Sequence, residues 1–418
     1  MNQDNFDLES LFADDEIDSE FRHEDAFAAQ QSADQRAGIA NDMNRRVNGT
    51  APKKKTAPKK KQKRSFPWKG LLSFFGKFLL FVVETVLLLA IAAYGVMFVL
   101  AKGPSTTARD LFVMSVRETS AVGFLANFFF TDEEIAMIES GGEEQVDEYV
   151  ETDTSLITVT KPTDAPEDQD QGPVPDAWGY VDEDGDGIIV EPVSGPGFTG
   201  YMMIVLDPSR VIMGSVPASY GVRGYTVEQM VKHYDAVAGV NAGGFEDPEG
   251  RGNGSTPSTM TVYEGKVYYA SKGNQDGFVG FDSNHIMHVG KFTEAQIKER
   301  DIQYGVAFGP VLVVNGESAD RSKLASGINP RTAIGQRSDG AVLLLVIDGR
   351  QTISLGCTWL DLVDIFLEFG AVNACNLDGG SSTLMWYEDQ YINNCASVVG
   401  IRPVPTTFLV MKEGTDNG

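Results

Sequence analysis

The sequence predicts an α+β protein, with a mixed β-sheet core and interspersed helices that follow a single transmembrane helix. The sheet is predicted by short apolar runs between glycine-rich turns, and above all by Val306–Val314 and Ala341–Ile347, which are nearly continuous apolar runs. Such runs are typical of strands that are buried on both faces. The transmembrane helix is predicted by Phe78–Leu100, where 23 residues include one charged side chain, Glu84.

Composition and charge exclude several classes of protein. The 418 residues include 34 Lys and Arg against 59 Asp and Glu, a net charge of −25, so no nucleic-acid partner is expected. Three cysteines and four histidines are too few for a disulfide-dense scaffold or a four-thiolate zinc site. Whether any two of Cys357, Cys375 and Cys395 are bonded stays open, although buried free thiols are favoured.

Charge also orients the chain in a membrane. We predict that residues 1–69 form a disordered cytoplasmic tail, acidic over the first fifty residues and then basic, with nine Lys or Arg and no acid in 51–69. A positive flank favours the cytoplasmic side of a membrane, and an apolar helix rising about 1.5 Å per residue is long enough to cross the hydrocarbon layer. The sequence therefore predicts a single-pass cell-membrane protein that spans the bilayer through 70–101, with an extracytoplasmic C-terminal domain.

Three further segments follow the predicted span. Apolar residues at helical spacing predict a membrane-proximal helical segment over 102–140. Residues 141–176 are rich in Glu, Asp, Thr and Pro and nearly free of aromatic residues, which predicts a solvated acidic linker. The folded domain is expected over 177–412.

Four polar turns in that domain carry the chemical signal, and each follows an apolar run. They are Asn241-Ala-Gly243-Gly244-Phe245-Glu246-Asp247, Gly327-Ile-Asn329-Pro-Arg331-Thr332-Ala333, Asp348-Gly-Arg350 and Asn376-Leu-Asp378-Gly379-Gly380-Ser381-Ser382-Thr383. The guanidinium groups of Arg331 and Arg350 can form bidentate hydrogen bonds with pairs of anionic oxygens, and the Gly-Gly-Ser-Ser turn offers N–H and hydroxyl donors. Two carboxylates could supply general acid–base chemistry. The same arginines and aspartates could instead pair with one another in a structural network.

Taken together, the blocks NAGGF, GINPRTAIG, LLLVIDGR and NLDGGSSTL resemble the signature blocks of the phosphodiester glycosidase family, over about 196–412. The chain is similar to a bacterial branch associated with exopolysaccharides. The resemblance implies hydrolysis of the bond between a sugar anomeric carbon and a phosphodiester. The Asn, Arg and Asp positions characteristic of the family fall on Asn241, Arg331, Asp348, Arg350, Asn376 and Asp378. Glu246 stands where family members commonly have a second aromatic residue, which leaves the choice of substrate open.

From the residues and the resemblance together, we predict the roles in the site. Asp378 and Asp348 are the acid–base or nucleophile candidates, with Glu246 in reserve. The expected substrate-binding residues are Asn241, Gly243, Gly244, Arg331, Thr332, Arg350, Asn376, Gly379, Gly380, Ser381 and Ser382. Arg331 and Arg350 are expected to hold the phosphate.

The sequence thus predicts a membrane-anchored extracytoplasmic hydrolase that cleaves sugar-1-phosphodiester bonds in a cell-surface glycopolymer or exopolysaccharide. The alternative is a non-catalytic membrane-tethered module that binds anionic glycopolymer. The expected partners are a phosphorylated glycan and, through 70–101, the lipid bilayer.

No cofactor or catalytic metal is expected. Asp182, Asp184 and Asp186 match the opening of a calcium loop, but Val193 stands at the twelfth position, where such a loop needs a bidentate Glu. Calcium at this loop is therefore a weaker alternative to a simple acidic turn.

Overall fold

The computed structural model describes residues 68–119, 122–139, 151–159, 174–247, 252–268, 277–397 and 400–414. The chain divides into two units, residues 1–80 and 81–418. The predicted cytoplasmic tail, except for its last two residues, lies outside the described residues.

A long apolar helix, α1 (Trp68–Lys102), opens the described chain. Its Ser73–Lys102 portion is the one described helix that is long and apolar enough to cross a membrane, and its side chains are exposed except for half-buried Met97 and buried Ala101. The predicted apolar helix is therefore confirmed.

The membrane-proximal segment contains two helices, α2 (Thr106–Arg117) and α3 (Asp132–Glu139), with a 3₁₀ turn, Gly123–Phe128, between them. The described part of this segment is therefore helical with an interruption between the two α-helices. The buried side chains of the segment pack with the end of α1 in one cluster, which consists of Ala101, Val113, Met114, Ala126, Phe130, Ile135 and Ile138. The segment is thus a packed layer with its own apolar core.

The folded domain carries strands and short helices, which confirms the α+β class. The strands are β1 (Ile188–Gly195), β2 (Phe198–Val205), β3 (Val211–Ser215), β4 (Ala238–Asn241), β5 (Thr261–Tyr263), β6 (Lys266–Tyr268), β7 (Phe278–Asp282), β8 (Met287–Gly290), β9 (Ile302–Val306), β10 (Val311–Val314), β11 (Glu317–Ser318), β12 (Arg331–Arg337), β13 (Val342–Ile347), β14 (Ala371–Asn376), β15 (Met385–Tyr387), β16 (Gln390–Tyr391) and β17 (Thr406–Val410). The helices are α4 (Val227–His233), α5 (Glu294–Glu299) and α6 (Trp359–Glu368). Each of these three helices begins with a capping box on a threonine: Thr226, Thr293 or Thr358.

The strands form three sheets, ordered β1-β2-β13-β12-β14-β10-β11, β16-β15-β4-β17-β3 and β6-β5-β9-β7-β8. Every strand pair in the described part of the chain is antiparallel, so the prediction of a mixed sheet is wrong. The apolar run in β13 is buried on both faces, as predicted, because the seven-stranded sheet lies between two apolar cores. Val342, Leu344 and Val346 enter one core, and Leu343, Leu345 and Ile347 enter the other.

The run Val306–Val314 also differs from the expected single strand. It is divided between β9 and β10, which belong to different sheets and are separated by a cis Gly309–Pro310 peptide bond. The apolar residues therefore reflect two separate burial environments.

Parts of the predicted linker pack against the domain. The Thr152 hydroxyl donates to the Val289 carbonyl at 2.9 Å, and Ile157 is buried. Asp176 pairs at 2.7 Å with Arg337, which is fully buried beneath the ring of Trp178. The prediction of a solvated linker is wrong for residues 151–159 and for Asp176, whereas 141–150 and 160–173 lie outside the described residues.

Candidate functional site

Strand register brings three of the four predicted motifs to one edge of the seven-stranded sheet. Arg331 at the start of β12 lies opposite Ile347 at the end of β13, and Ala333 lies opposite Asn376 at the end of β14. Because neighbouring strands are antiparallel, the turn after β13, the turn after β14 and the loop before β12 meet at this edge. Asp348 and Asp378 therefore belong to one region of the molecule.

The fourth motif joins the same region through Asn241, a fully buried residue at the end of β4. Its amide nitrogen Nδ2 donates to the Asp378 carbonyl at 2.6 Å. Its oxygen Oδ1 accepts from the Thr332 hydroxyl at 2.8 Å and from the Leu384 amide at 3.2 Å. Because the Asn241 side chain bonds inside the protein through both its nitrogen and its oxygen, Asn241 and Thr332 position the Asp378 backbone.

The Asp378 carboxyl group has the most perturbed acid chemistry of the site. Burial raises its pKa to about 6, while a hydrogen bond from Ser382 and the charge of Arg402 work in the opposite direction. A carboxyl group that titrates near neutral pH can exchange a proton with a substrate or a water under ordinary conditions.

Two glycines give the Asp378 turn its shape. The Gly380 amide donates to the Pro330 carbonyl at 2.9 Å, and a Cβ at Gly379 would lie 2.7 Å from that same oxygen. Gly380 has a φ of +62°, and a Cβ there would lie 3.3 Å from the Arg350 guanidinium. Bare backbone therefore lets the arginine approach the turn closely.

Arg350 is the predicted phosphate ligand whose side chain is exposed. Its Nη2 donates to the hydroxyl of Thr119 at 2.8 Å and to Oδ1 of Asn329 at 3.0 Å. Both partners are neutral, and Arg350 makes no ion pair with any residue in the described ranges. Its positive charge is therefore available to an anionic ligand.

Arg331, the second predicted phosphate ligand, is buried and engaged. It donates to Glu118 at 2.7 Å and to the carbonyl oxygens of Gly327 at 2.6 Å and Cys357 at 3.2 Å. Its guanidinium carbon lies 5.4 Å from the centre of the Trp359 ring. These contacts give Arg331 a positioning role and leave it fewer free N–H donors for a phosphate.

The partner of Arg331 comes from the membrane-proximal segment, which sequence reasoning did not connect with the site. Glu118 follows α2 and also accepts from the Gly327 amide at 2.7 Å and from Asn329 Nδ2 at 2.9 Å. Glu118 and Arg331 are 213 residues apart, and no local sequence pattern predicts a contact over that distance. Glu118 and Thr119 thus support the two arginines from outside the predicted domain.

Asp348, the second predicted carboxylate, is buried and saturated with hydrogen bonds. Its Oδ1 accepts from the Asn394 amide at 2.9 Å and from Asn393 Nδ2 at 3.2 Å, and its Oδ2 accepts from Asn394 Nδ2 at 2.9 Å. A carboxylate held in this way fixes a loop more readily than it reacts.

Arg402 was also missed, because it lies in an irregular segment without a motif, whereas Asp247 ends the first predicted polar turn but was assigned no role. Arg402 forms a two-pronged ion pair with Asp247, at 2.6 and 2.8 Å, and donates to the Ser381 hydroxyl at 3.1 Å. Although burial opposes it, hydrogen bonding by Arg402 and Gly252 holds the pKa of Asp247 below its usual value. The pair flanks the Asp378 turn on the side of Ser381.

The remaining predicted residues have mixed surroundings. Gly243 donates its amide to the Thr406 hydroxyl at 3.0 Å, and a Cβ at Gly244 would lie 2.9 Å from the Phe308 ring. Asn376 Nδ2 donates to the Gly309 carbonyl at 2.7 Å, while its buried Oδ1 has no partner among the described residues. Glu246, the reserve carboxylate, is exposed.

Two further features are the three cysteines and the acidic loop around Asp182, Asp184 and Asp186. All three cysteines are free, and burial raises the thiol pKa of Cys357 and of Cys375, which disfavours thiolate chemistry. Side-chain oxygens of Asp182, Asp184 and Asp186 lie within 4.8 Å of one another. Amides of the same loop already donate to these carboxylates, for example Gly187 to Asp182 at 2.9 Å, and calcium there stays a prediction.

Comparison with known proteins agrees with the four motifs. Residues 234–411 match the phosphodiester glycosidase family, so the resemblance is confirmed over this part of the chain. The chain is 33% identical over 223 residues to the SPbeta prophage-derived uncharacterized protein YomE of Bacillus subtilis, covering 51% of this chain and 33% of YomE. It is 25% identical over 205 residues to the human N-acetylglucosamine-1-phosphodiester alpha-N-acetylglucosaminidase, covering 44% of this chain and 39% of that protein.

The chain thus spans well under half the length of both curated relatives. Among solved structures, the catalytic domain of the zebrafish N-acetylglucosamine-1-phosphodiester alpha-N-acetylglucosaminidase aligns with a TM-score of 0.44 at 19% identity. The alignment covers 54% of this chain and 82% of that one.

Proposed function

We propose that this protein is a membrane-anchored hydrolase that cleaves sugar-1-phosphodiester bonds, with Asp378 as the reactive carboxyl group and Arg350 as the main phosphate ligand. One observation carries the proposal: a carboxyl group whose pKa is raised to about 6 follows a strand end, in a turn against which an exposed arginine lies. The name of the human relative, a glucosaminidase of a sugar-1-phosphodiester, supports this class of substrate.

In the proposed reaction, water attacks the anomeric carbon and the bond from that carbon to the phosphate oxygen breaks. The bonding electrons leave with the phosphate, so that the products are a free sugar and a phosphomonoester. Asp378 in its ionised form takes the proton of the attacking water, a role open to it above about pH 6. A phosphomonoester leaves as a stable anion, so one ionised carboxylate and a cation suffice.

Arg350 and Arg331 have different roles in the proposed reaction. Arg350 has neutral partners and binds the phosphate oxygens, whereas Arg331 is neutralised by Glu118 and keeps the loop before β12 in place. Ser381 and the amides of Gly379 and Gly380 are further donors to the phosphate. Asp348 orients the loop that contains Asn393 and Asn394, and no cofactor takes part.

We also propose that α1 anchors the protein in the cell membrane, with the N-terminus in the cytoplasm and the domain outside. The 30 residues of Ser73–Lys102 support the anchor by length and composition. The basic run in 51–69 supports the orientation. A cell-surface glycopolymer or exopolysaccharide is the natural substrate that this location favours.

The test is release of free sugar from a panel of sugar-1-phosphodiesters by the full chain in detergent micelles. We expect turnover by the parent protein and a loss of at least about a hundredfold in Asp378→Asn, since an amide neither titrates nor attacks. Asp389→Asn, at an exposed position, is the matched control and should retain full activity. Binding of the phosphodiesters without any release of sugar would overturn the hydrolase and favour the non-catalytic module.

A further inference from the structure

The 3₁₀ turn between α2 and α3 exposes two large aromatic side chains. Phe124 is 57% exposed and Phe128 is 60% exposed, and their ring centroids lie 5.7 Å apart. The turn is two-sided, because Ala126 is fully buried in the apolar cluster beneath it. Exposed apolar side chains that adjoin one another form a patch, and such patches mark contact sites for proteins or membranes.

The next residue ties this turn to the apolar helix. The ring of Phe129 lies 5.5 Å from that of Tyr94 and 6.5 Å from that of Phe98, both in α1. At about 1.5 Å per residue, Tyr94 and Phe98 precede Leu100 by about 9 Å and 3 Å along the helix axis. Phe129 therefore lies beside the outer part of the apolar stretch, at the level where aromatic belts meet lipid headgroups.

A second contact fixes the turn at the end of the helix. The ammonium group of Lys102 lies 4.3 Å from the centre of the Phe130 ring. Lysines at such helix ends direct their charge toward the interface while their stems stay against apolar surface. The turn is therefore held at the C-terminal end of α1 by contacts of the two residues that follow it, Phe129 and Phe130.

We propose that residues 123–130 form an interfacial element that inserts Phe124 and Phe128 into the boundary between headgroups and acyl chains of the same bilayer that α1 crosses. The proposal rests on the proposed membrane anchoring. A lipid surface is the favoured occupant, because the exposed rings adjoin a helix whose apolar side chains are exposed from residue 73 to residue 100, apart from half-buried Met97.

The same element connects the membrane with the candidate site. The Thr119 carbonyl accepts from the amides of Val122 and Gly123, both at 3.0 Å, and the Thr119 hydroxyl accepts from Arg350 at 2.8 Å. Phe124 follows Thr119 by five residues, a span of at most about 18 Å even when fully extended. The site would then act on phosphodiesters held at or near the membrane surface.

The test uses the full chain reconstituted in vesicles of phosphatidylcholine and phosphatidylglycerol that contain brominated acyl chains. In a Cys395→Ser background, where the remaining cysteines are buried, three single variants receive a polarity-sensitive fluorophore: Leu88→Cys, Phe128→Cys and Val222→Cys. Leu88 reports on the span, and Val222, which is 68% exposed, reports on the domain surface. Phe124→Cys replaces Phe128→Cys if the latter fails to fold.

We expect strong bromine quenching at position 88, at least half as much at position 128, and none at position 222. Quenching at 88 without quenching at 128 or 124 would overturn the interfacial element while the anchor stands. If position 88 is not quenched either, the anchor is wrong and the interfacial element falls with it.

Discussion

Burial of the Asp378 carboxyl group links its reactivity to the stability of the fold. Its pKa is raised from 3.8 to about 6, so the folded state binds the proton more tightly than the unfolded chain does. The resulting stabilisation is fully present below about pH 4 and is lost as the pH rises through about 6. A shift of this size corresponds to roughly 2–3 kcal/mol at most.

We therefore expect Asp378→Asn, which cannot ionise, to gain stability relative to the parent protein as the pH rises. The difference between the thermal midpoints of variant and parent should become more positive by several degrees between pH 4.5 and 7.5. Thermal unfolding of both proteins across this range measures it, with Asp389→Asn as an exposed control. A difference that does not change with pH would show that the carboxyl group titrates alike in the folded and unfolded states.

The two arginines should respond differently to the same substitution. Arg350→Lys keeps the charge and the exposed position but loses the planar fork, so KM for the phosphodiester should rise by about ten- to a hundredfold while the thermal midpoint stays within a few degrees. Arg331→Lys should mainly lower the thermal midpoint, because a lysine cannot donate to all three acceptors of Arg331, the Glu118 carboxylate and the carbonyl oxygens of Gly327 and Cys357. Unchanged KM in Arg350→Lys would remove Arg350 from phosphate binding.

At the scale of elements, local patterns predicted the strands well and their partners poorly. The run in β13 marks a strand buried on both faces, here by two cores, but it does not reveal which strands pair with it or that both pairs are antiparallel. Asp348 and Asp378 could be identified as strand-end carboxylates. Only the loop geometry distinguishes them, because Asp348 is saturated by Asn393 and Asn394, which follow it by 45 and 46 residues.

The contact between the segment after α2 and the loop before β12 yields a prediction for Glu118. Glu118→Ala leaves the buried Arg331 guanidinium without its carboxylate, and breaking one side of such a pair costs about 3–5 kcal/mol. We expect a lower thermal midpoint and a lower rate of sugar release, measured together on one preparation.

Glu139→Gln is the matched control, since its ion pair with Arg117 is exposed on both sides and should contribute less than about 1 kcal/mol. Faster sugar release in Glu118→Ala would contradict the positioning role, because it would mean that the carboxylate blocks the phosphate ligand.

At the scale of the whole chain, charge asymmetry around α1 predicts a topology. Protease added outside intact cells or spheroplasts should digest the C-terminal domain and spare the first 70 residues, as detected with antibodies against each part. Lysed cells, in which both parts are accessible, provide the control. Protection of the C-terminal domain in intact cells would reverse the orientation.

The ion pair between Arg337 and Asp176 shows that residues before 177, where the sequence predicts the domain to begin, contribute to its stability. A chain shortened to begin at residue 177 would keep the fully buried guanidinium but lose one of its two carboxylates, leaving Asp339 alone at 2.6 Å. Thr152 and Ile157, which pack on the same domain, would be lost as well. Stretches that look like spacer by composition are thus structural members of the folded domain, and recombinant versions should retain the chain from before residue 151.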